Sequence, residues 1–364
     1  MYTNVNAAAP DAAQAACFER LRNTLLAKKF QDRLARPLAY WALPNDRRLP
    51  QALLDYPLSE VLGKPFEELA ATRGIGRKKL ESLFVLLARA AGDQAPGADL
   101  VELHHGDQAA GNGRTHGGAT HDAPMNPGSA TFNSGVVSEA LWQQWQASVR
   151  MAGVTDLAIG RIVPSLERVP SVIWQAPLSR YVDRSLAEIR DMRTHGVKRI
   201  GVILHAFYLV ERAWQESHSS QAVRQALAPR FIEPIEKWAA AWIARCEAPS
   251  EEETKSRLVE PILAQVEVDC GDLVARLARE RVGIDGRPYS VRAQARRLNV
   301  TRARIYQIYE QCGKAMEVRW PSGRDLLRSL VAAAYRQPSE NPALRLLSAT
   351  VDLCFPRRVE DDVD

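Results

Sequence analysis

The spacing of apolar residues predicts helices along most of the chain. Residues 17–34 place Phe18, Leu21, Leu25 and Leu26 on one helical face. Four prolines then divide the region 37–57 into short pieces. Because no strong strand pattern emerges, the expected fold class is all-α and multi-domain. Further helices are predicted over 66–91 (two helices, divided by Gly74-Ile75-Gly76), 258–278, 326–335 and 344–353.

Residues 92–135 break this pattern. They are rich in Gly, Asn, Thr and Ala and contain almost no residues that form a core, which predicts a flexible linker at 93–135. Four of the seven histidines lie here, at positions 104, 105, 116 and 121. Their spacing matches no standard set of metal ligands, so a solvated linker is favoured over a metal site.

Two stretches of the chain match each other at an offset of 120 residues. The first, PLSEVLGKPFEELAATRGIGRKKLESLFVLLARA, begins at Pro57, and the second, PLSRYVDRSLAEIRDMRTHGVKRIGVILHAFYLV, begins at Pro177. They align without a gap. Each reads as a helix, a tight turn with glycine, a basic helix start and an apolar helix, which is typical of a helix-hairpin-helix.

Such a turn is suited to a phosphate group. A turn glycine permits positive φ, and the N–H groups that open the next helix lack partners within it. Together with the helix dipole and flanking cations, they favour an anion. Two alternatives remain open, since the hairpins can be scaffold with solvated cations or can dock a protein. The expected phosphate contacts are Gly74, Gly76, Arg77, Lys78 and Lys79 in the first copy, and Lys198 and Arg199 in the second.

The first copy, over residues 44–92, resembles the C-terminal domain of the bacterial RNA polymerase alpha subunit. The residues that carry the likeness are Glu60-Val61, Glu67-Glu68-Leu69 and Gly74-Ile75-Gly76-Arg77-Lys78-Lys79-Leu80. In that family the turn and the start of the last helix touch minor-groove phosphates, which implies Gly76, Lys78 and Lys79 here. The key arginine of the family falls near Asn45 in this chain, with Arg47 and Arg48 close by. The resemblance therefore implies phosphate binding without A·T-tract recognition.

Charge is concentrated near the end of the chain. The net charge is +5, yet residues 281–328 hold eleven Lys/Arg and four Asp/Glu, a formal charge of +7 that leaves −2 for the rest. A basic segment on a nearly neutral body indicates a polyanionic partner.

The same segment contains the pattern of a helix-turn-helix. Ser290 is a plausible N-cap for a helix over 291–297, and Thr301 caps a second helix from Arg302 onward. Asn299 lies between them and tolerates a left-handed conformation. The expected packed face consists of Ala295, Leu298, Val300, Ile305 and Ile308. The expected outward residues, which suit base edges and phosphates, are Arg302, Arg304, Tyr306 and Gln307, with Thr301 and Arg297 on phosphates. The alternative is an ordinary solvated helix hairpin.

Residues 281–325 also resemble the fourth conserved region of sigma-seventy family factors. The likeness rests on RVGIDG at 281–286 and VTRARIYQI at 300–308. It implies that Thr301 and Arg302 approach the DNA backbone and that Arg304 and Gln307 lie in the major groove. Ala303 replaces the glutamate of the family and Tyr306 its second-turn arginine, so the family's promoter preference is not expected. The aromatic helix with which sigma factors melt DNA is not recognisable, and the tryptophans at 142, 145, 238 and 242 are interpreted as core.

Other functional classes lack their motifs. No GxxxxGK[ST], HExxH or nucleophile elbow is present, so we expect no enzyme and no cofactor. No apolar run is long enough to span a membrane, and the first residues do not form a secretory signal. The five separated cysteines fit reduced thiols in a cytoplasm. The turn Asp269-Cys270-Gly271-Asp272 is interpreted as a helix boundary rather than a thiol site.

These patterns predict a non-catalytic, cytoplasmic DNA-binding protein, and the two resemblances imply that it acts in bacterial transcription. Its expected partner is double-stranded DNA, with RNA polymerase as a possible second partner. The alternative is an adaptor that docks on RNA polymerase or another protein through its helical repeats. The expected segments are a helix-hairpin-helix at 15–92, the linker at 93–135, a second hairpin-like repeat at 136–215, a helical connector at 216–280, the helix-turn-helix at 281–325, and helices with an acidic tail at 326–364.

Overall fold

The computed structural model describes residues 12–44, 46–98, 101–103, 131–245, 249–335 and 342–356. Within these ranges the structure is α-helical apart from short 3₁₀ turns, one π-helical turn and a single two-residue β-ribbon, which confirms the all-α class. The chain forms two compact units. One comprises residues 1–147 and 184–195, and the other residues 148–183 and 196–364.

The first unit is built around a core of buried aromatic and aliphatic residues. Phe18 and Leu25 on α1 pack with Phe66 on α3 and Leu83 on α4. The short strands β1 and β2 pair in antiparallel register. The helix α5 begins here and ends in the second unit. The elements are α1 (Ala12–Leu25), α2 (Leu58–Gly63), α3 (Phe66–Ala71), α4 (Arg77–Ala91), β1 (Glu102–Leu103), β2 (Thr131–Phe132), α5 (Glu139–Met151) and, after residue 184, α7 (Leu186–Asp191).

The helix predicted over 17–34 is shorter in the structure. α1 ends at Leu25, and a 3₁₀ turn follows over Lys28–Arg33. The cause is the backbone of Ala27, which is extended (φ −64°, ψ 148°) and redirects the chain so that Phe30 enters the core. Leu26, predicted on the apolar face, is exposed.

The second unit contains the longer helices and the basic segment. α12 packs against α13 and α15, and α17 packs against α13, α15 and α16. The predicted boundary at Asp269–Asp272 is confirmed, because Gly271 (φ 88°) separates α12 from α13. The elements are α6 (Ile159–Ile162), α8 (Val197–Ser217), α9 (Ser220–Ala226), α10 (Ile232–Arg245), α11 (Glu251–Thr254), the π turn Lys255–Val259, α12 (Glu260–Cys270), α13 (Asp272–Val282), α14 (Val291–Leu298), α15 (Arg302–Arg319), α16 (Gly323–Tyr335) and α17 (Pro342–Cys354).

The internal repeat is visible in the backbone. An isolated antiparallel bridge joins Pro37 to Pro57, and an equivalent bridge joins Ala158 to Pro177. The second copy is one residue shorter between its bridged positions. The flanking hydrogen bonds recur as pairs, Leu58 N–H to Arg36 O (2.9 Å) with Leu178 N–H to Leu157 O (3.0 Å), and Ser59 N–H to Leu34 O (2.9 Å) with Ser179 N–H to Thr155 O (2.8 Å).

A buried ion pair fixes the end of α15 inside the second unit. Arg319 and Asp269 each expose 1% of their side chains. Arg319 donates from Nε and Nη2 to Asp269 (2.9 and 2.5 Å) and from Nη1 to the carbonyl oxygen of Val163 (2.7 Å). Asp269 also accepts from the Leu166 N–H and from Gln265 Nε2. α15 is thereby tied to α12 and to the segment after α6.

Of the region predicted as a linker, the structure describes 93–98, 101–103 and 131–135. Ser138 Oγ donates to the carbonyl oxygen of Pro96 (2.7 Å), and β1 and β2 pair in this region. The four histidines at 104, 105, 116 and 121, and the position Asn45, lie outside the described residues. No helix within the described ranges is both long and apolar enough to cross a membrane.

Candidate nucleic-acid interface

The backbone between α14 and α15 forms as the sequence predicts. Ser290 Oγ accepts a hydrogen bond from the Ala293 N–H, and Thr301 Oγ1 accepts one from the Arg304 N–H, both at 3.2 Å. Asn299 lies between the helices in the left-handed conformation (φ 53°, ψ 44°). The two N-caps and this one residue mark where the helices begin and end, and α14 extends one residue beyond its predicted end.

Polar groups beneath α15 hold the two helices in place. Gln294 is fully buried, and its Nε2 donates to the Leu277 carbonyl oxygen (2.9 Å), while its Oε1 accepts from the hydroxyl of Tyr309. The Tyr309 hydroxyl also lies 3.2 Å from the Leu277 carbonyl oxygen. Burial raises the pKa of Tyr309 to about 12, so the hydroxyl stays protonated at neutral pH. This cluster joins α13, α14 and α15, and the sequence analysis did not identify it.

The predicted packed face is confirmed for three of its residues. Ala295, Ile305 and Ile308 are buried. Leu298 is half-buried. Val300 is exposed, contrary to the prediction, because it precedes the N-cap Thr301 and so belongs to neither helix.

The outward residues of α15 form one exposed surface, which we call the α15 face: Thr301, Arg302, Arg304, Tyr306 and Gln307. Tyr306 exposes 61% of its surface, an unusual position for an aromatic ring. Arg304 Nη1 donates to Gln307 Oε1 (3.3 Å), which aligns the two side chains along the helix. Arg302 makes no ion pair with any part of the chain that the structure describes. The face thus presents cations, an amide and an aromatic ring to solvent.

Arg297, predicted to grip a phosphate, is already engaged. Its two Nη atoms bind the carboxylate of Glu280 at 2.6 and 2.7 Å, and its guanidinium lies 5.7 Å from the ring centre of Tyr289. The hydrogen bonds with Glu280 raise the pKa of Arg297. Burial alone would raise the pKa of Glu280, but hydrogen bonds from Arg297 and Gln294 lower it. The pair joins α13 to α14 and neutralises the charge of Arg297.

Four further arginines lie at the end of α13, between α13 and α14, and on α14. They are exposed, and none forms an ion pair within the described ranges: Arg281, Arg287, Arg292 and Arg296. The uncompensated positive charge therefore lies near α14 and the start of α15.

The first hairpin turn in the other unit is open to an anion. Gly74 has φ +85°, as expected for the turn glycine. Gly76 is the N-cap of α4 and has no side chain to cap the first N–H groups, and a Cβ there would meet nothing within 4 Å. Lys78 is exposed. Lys79 instead folds back, with its Nζ 2.7 Å from the Gly74 carbonyl oxygen.

Two neighbouring features bear on the charge at this turn. Ser82 Oγ lies 3.3 Å from the carbonyl oxygen of Arg47, so the Arg47–Arg48 segment is beside the second turn of α4. Arg77 forms an exposed ion pair with Glu81 (3.6 Å). The available groups at this turn are therefore the uncapped N–H groups after Gly76 and the exposed ammonium of Lys78. Lys79 is part of the turn itself.

The second hairpin turn differs from the first. Gly196 is the N-cap of α8 with φ −75°, and Thr194, which stands where the first copy has Gly74, does not adopt positive φ. Lys198 is exposed and Arg199 is half-buried. Val197, at the position equivalent to Arg77, exposes 84% of its surface. This turn carries less available charge than the first.

Other predictions about the site have mixed outcomes. Trp142 and Trp145 are buried, which confirms their interpretation as core, while Trp238 and Trp242 are half-buried. No group of three or more His, Cys, Asp or Glu with metal-binding geometry occurs among the residues that the structure describes. The cysteines at 270, 312 and 354 are buried free thiols.

Comparison of the chain with family models, with curated proteins and with solved structures finds no match. The resemblances to sigma region four and to the alpha-subunit domain therefore rest on the quoted sequence motifs.

Proposed function

We propose that this chain is a non-catalytic, cytoplasmic DNA-binding protein of bacterial transcription, either sigma-factor-like or a transcription regulator. In this proposal α14 and α15 act as a helix-turn-helix, and α15 enters the major groove of a duplex. The turn before α4 acts as a second, sequence-independent clamp on phosphates.

The exposure of the α15 face is the single observation that carries the proposal. The side chains of the α15 face would be unavailable to DNA if α15 packed its arginines against the rest of the second unit. Instead Ile305 and Ile308 face inward and Arg302, Arg304 and Gln307 face solvent. The major groove of B-DNA, about 12 Å wide, admits one α-helix.

The residue roles follow from chemistry and position. Arg304 and Gln307 are aligned side by side and suit the N7 and O6 acceptors of guanine and the N6 and N7 groups of adenine. Thr301 and Arg302, at the helix start, suit backbone phosphates. Tyr306 supplies an apolar and hydrogen-bonding surface. Arg297 would have to leave Glu280 to reach DNA, so in this proposal it positions α14.

The proposed clamp on the first hairpin uses Gly76 and Lys78. The uncapped N–H groups at the start of α4 and one exposed ammonium suit one phosphate. Lys79 stabilises the turn through the Gly74 carbonyl oxygen rather than reaching outward.

Duplex binding at several salt concentrations tests the proposal. For a DNA-binding protein the logarithm of the association constant falls with the logarithm of salt by about 0.9 per neutralised phosphate. If about five phosphates are neutralised, the slope is about −4.5. Fluorescence anisotropy with a labelled duplex measures it, and a chain that binds no duplex at low salt would refute the proposal.

Single substitutions separate the two contacts. Arg304→Ala should weaken binding to a selected sequence by about 1–3 kcal/mol and reduce the preference for it. Lys78→Ala should weaken all duplexes equally and lower the salt slope by about 0.9. Arg328→Ala on α16 is the matched control, because it removes the same charge from the same basic segment at an exposed position off the α15 face. Equal losses for Arg304→Ala and Arg328→Ala would contradict the assignment of the α15 face.

The adaptor alternative is favoured by one observation, the exposed Val197 in the second hairpin. An apolar side chain at a turn flanked by Lys198 suits a protein surface better than a phosphate. If this turn docks on RNA polymerase, Val197→Asp should abolish binding of the purified polymerase and leave duplex affinity unchanged.

A further inference from the structure

A groove of about 840 Å³ runs along α15 in the second unit. One wall is α15 itself, through Ala303, Tyr306 and Gln307 of its first two turns and Lys314 further on. Another part of the lining is Leu353 at the end of α17 and Pro356 just after that helix. Tyr306 and Gln307 therefore belong both to the α15 face and to the groove, so an occupant of the groove would cover part of that face.

Charged side chains of both signs line the groove. Asp352, an exposed carboxylate, lies at the α17 end, and Glu310 and Glu317 line the same part of α15. Glu310 pairs with Lys314 (2.7 Å) and Glu317 with Arg324 (3.6 Å), so Asp352 leaves this end net negative. Arg281 lines the groove without an ion pair in the described chain. Arg304, through its hydrogen bond to Gln307, reaches the edge of the groove at the start of α15.

The described part of the chain ends at this groove. Pro356, the last described residue, lies against α15, because a Cβ placed on Gly313 would be 3.1 Å from its Cδ. The next residues are Arg357-Arg358-Val359-Glu360-Asp361-Asp362-Val363-Asp364. Two cations thus come first, a few residues after Asp352 in the last turn of α17, and four carboxylates follow.

Residues 357–364 are long enough to extend along α15 from Pro356 to the level of Ala303. Gly313 and Ala303 are ten residues apart on α15, which is about 15 Å at 1.5 Å per residue. An extended chain advances about 3.3 Å per residue, so Glu360 can lie about 13 Å and Asp364 roughly 26 Å from Pro356. The acidic residues can therefore reach the level of Ala303, next to Arg304, and Arg281 is a further cation on the lining of the groove.

We infer that residues 357–364 dock in the groove between α15 and α17, with Arg357 and Arg358 beside Asp352, Val359 on the apolar wall, and the carboxylates toward Arg281 and Arg304. The segment then covers Tyr306 and Gln307. The consequence for DNA rests on the function proposed above for α15. If α15 binds DNA, the acidic segment competes with DNA phosphates and weakens duplex binding.

Photocross-linking in the full chain tests the docking directly, without DNA. p-Benzoylphenylalanine in place of Val359 should cross-link within the same molecule to peptides containing residues 303–314 or 349–353. Mass spectrometry identifies the attachment sites. A matched control chain rearranges residues 357–364 so that the acids precede the arginines, at equal composition. The rearranged chain should lose most of these cross-links. The chain with the natural order of residues 357–364 should also lose most of them in 1 M salt. Cross-links scattered over the surface, or equal yields from the rearranged chain, would overturn the inference.

Duplex affinity then separates this inference from the proposed function. In the full chain, Glu360→Gln, Asp361→Asn, Asp362→Asn and Asp364→Asn together should tighten duplex binding by about threefold or more at low salt. Groove cross-links in a chain that binds no duplex would support the docking and refute the proposed function. Duplex binding without groove cross-links would refute the docking alone.

Discussion

Arg319→Met should destabilise the second unit more than any exposed charge change. The substitution keeps an unbranched apolar stem but removes the guanidinium that donates to Asp269 and to the Val163 carbonyl oxygen. Asp269, of which 1% is exposed, would keep only the Leu166 N–H and Gln265 Nε2 as partners. Its negative charge would then have no buried cation to compensate it.

The expected loss follows from that burial. Breaking a buried ion pair by removing one partner costs about 3–5 kcal/mol, mostly because the remaining charge is left without compensation. Domains have an unfolding free energy of about 5–15 kcal/mol, so the loss is about a fifth or more of the total. At about 2–4 °C per kcal/mol for a unit of this size, the Tm should fall by roughly 6–20 °C.

Urea unfolding of the full chain, followed by circular dichroism and tryptophan fluorescence, measures the loss. Because the chain has two units, the transition of the second must be resolved by its own midpoint. Arg276→Met is the control, since its ion pair with Asp272 is exposed and should contribute about 0–1 kcal/mol. Arg319→Met with Asp269→Leu should recover most of the loss, with a coupling energy of about 2 kcal/mol or more. A double variant as unstable as Arg319→Met alone would refute the argument that the stranded charge causes the loss.

Three further predictions concern the supports of the two proposed DNA contacts. Tyr309→Phe leaves Gln294 Oε1 without its donor and should cost about 1–3 kcal/mol at pH 7. The pKa of Tyr309 is about 12 in the folded state and about 10 in the unfolded state. The stability that the protonated Tyr309 hydroxyl contributes is therefore fully present below pH 10 and is lost as the pH rises toward 12. The gap to Tyr309→Phe should therefore narrow in urea unfolding between pH 10 and 12, and a constant gap would contradict this reading. Gly74→Ala should lower the free energy of unfolding by about 1–2 kcal/mol, because Gly74 has φ +85°. Gly76→Ala should lower it by less than about 1 kcal/mol, because Gly76 has φ −101° and open space around it. Equal losses would show that the turn does not need a left-handed residue at Gly74. Asn299→Gly should leave stability within about 0.5 kcal/mol and Asn299→Ala should cost about 1 kcal/mol, which thermal unfolding can compare.

The features that the sequence predicted well depend on residues close together in the chain. The caps at Ser290 and Thr301 and the left-handed Asn299 act within a dozen positions, so their chemistry alone sets the backbone between α14 and α15. The repeat was likewise visible as a local pattern. The end of α1 was missed because the extended backbone of Ala27 is stabilised by the placement of Phe30 in the core, not by a helix-breaking residue.

The charge of the basic segment shows what a local pattern cannot decide. The count of eleven cations treats all of them as available, but Arg319 is buried against Asp269, fifty positions earlier, and Arg297 is held by Glu280. Neither partner is distinguishable from other acids in the sequence. The charge that remains after these two paired cations are set aside is not spread evenly, because the arginines of the segment without ion pairs in the described chain lie mainly between Arg281 and Arg304. Long-range pairing therefore lowers the uncompensated positive charge of the segment and leaves most of the rest between Arg281 and Arg304, a stretch that includes the proposed phosphate contacts at the start of α15.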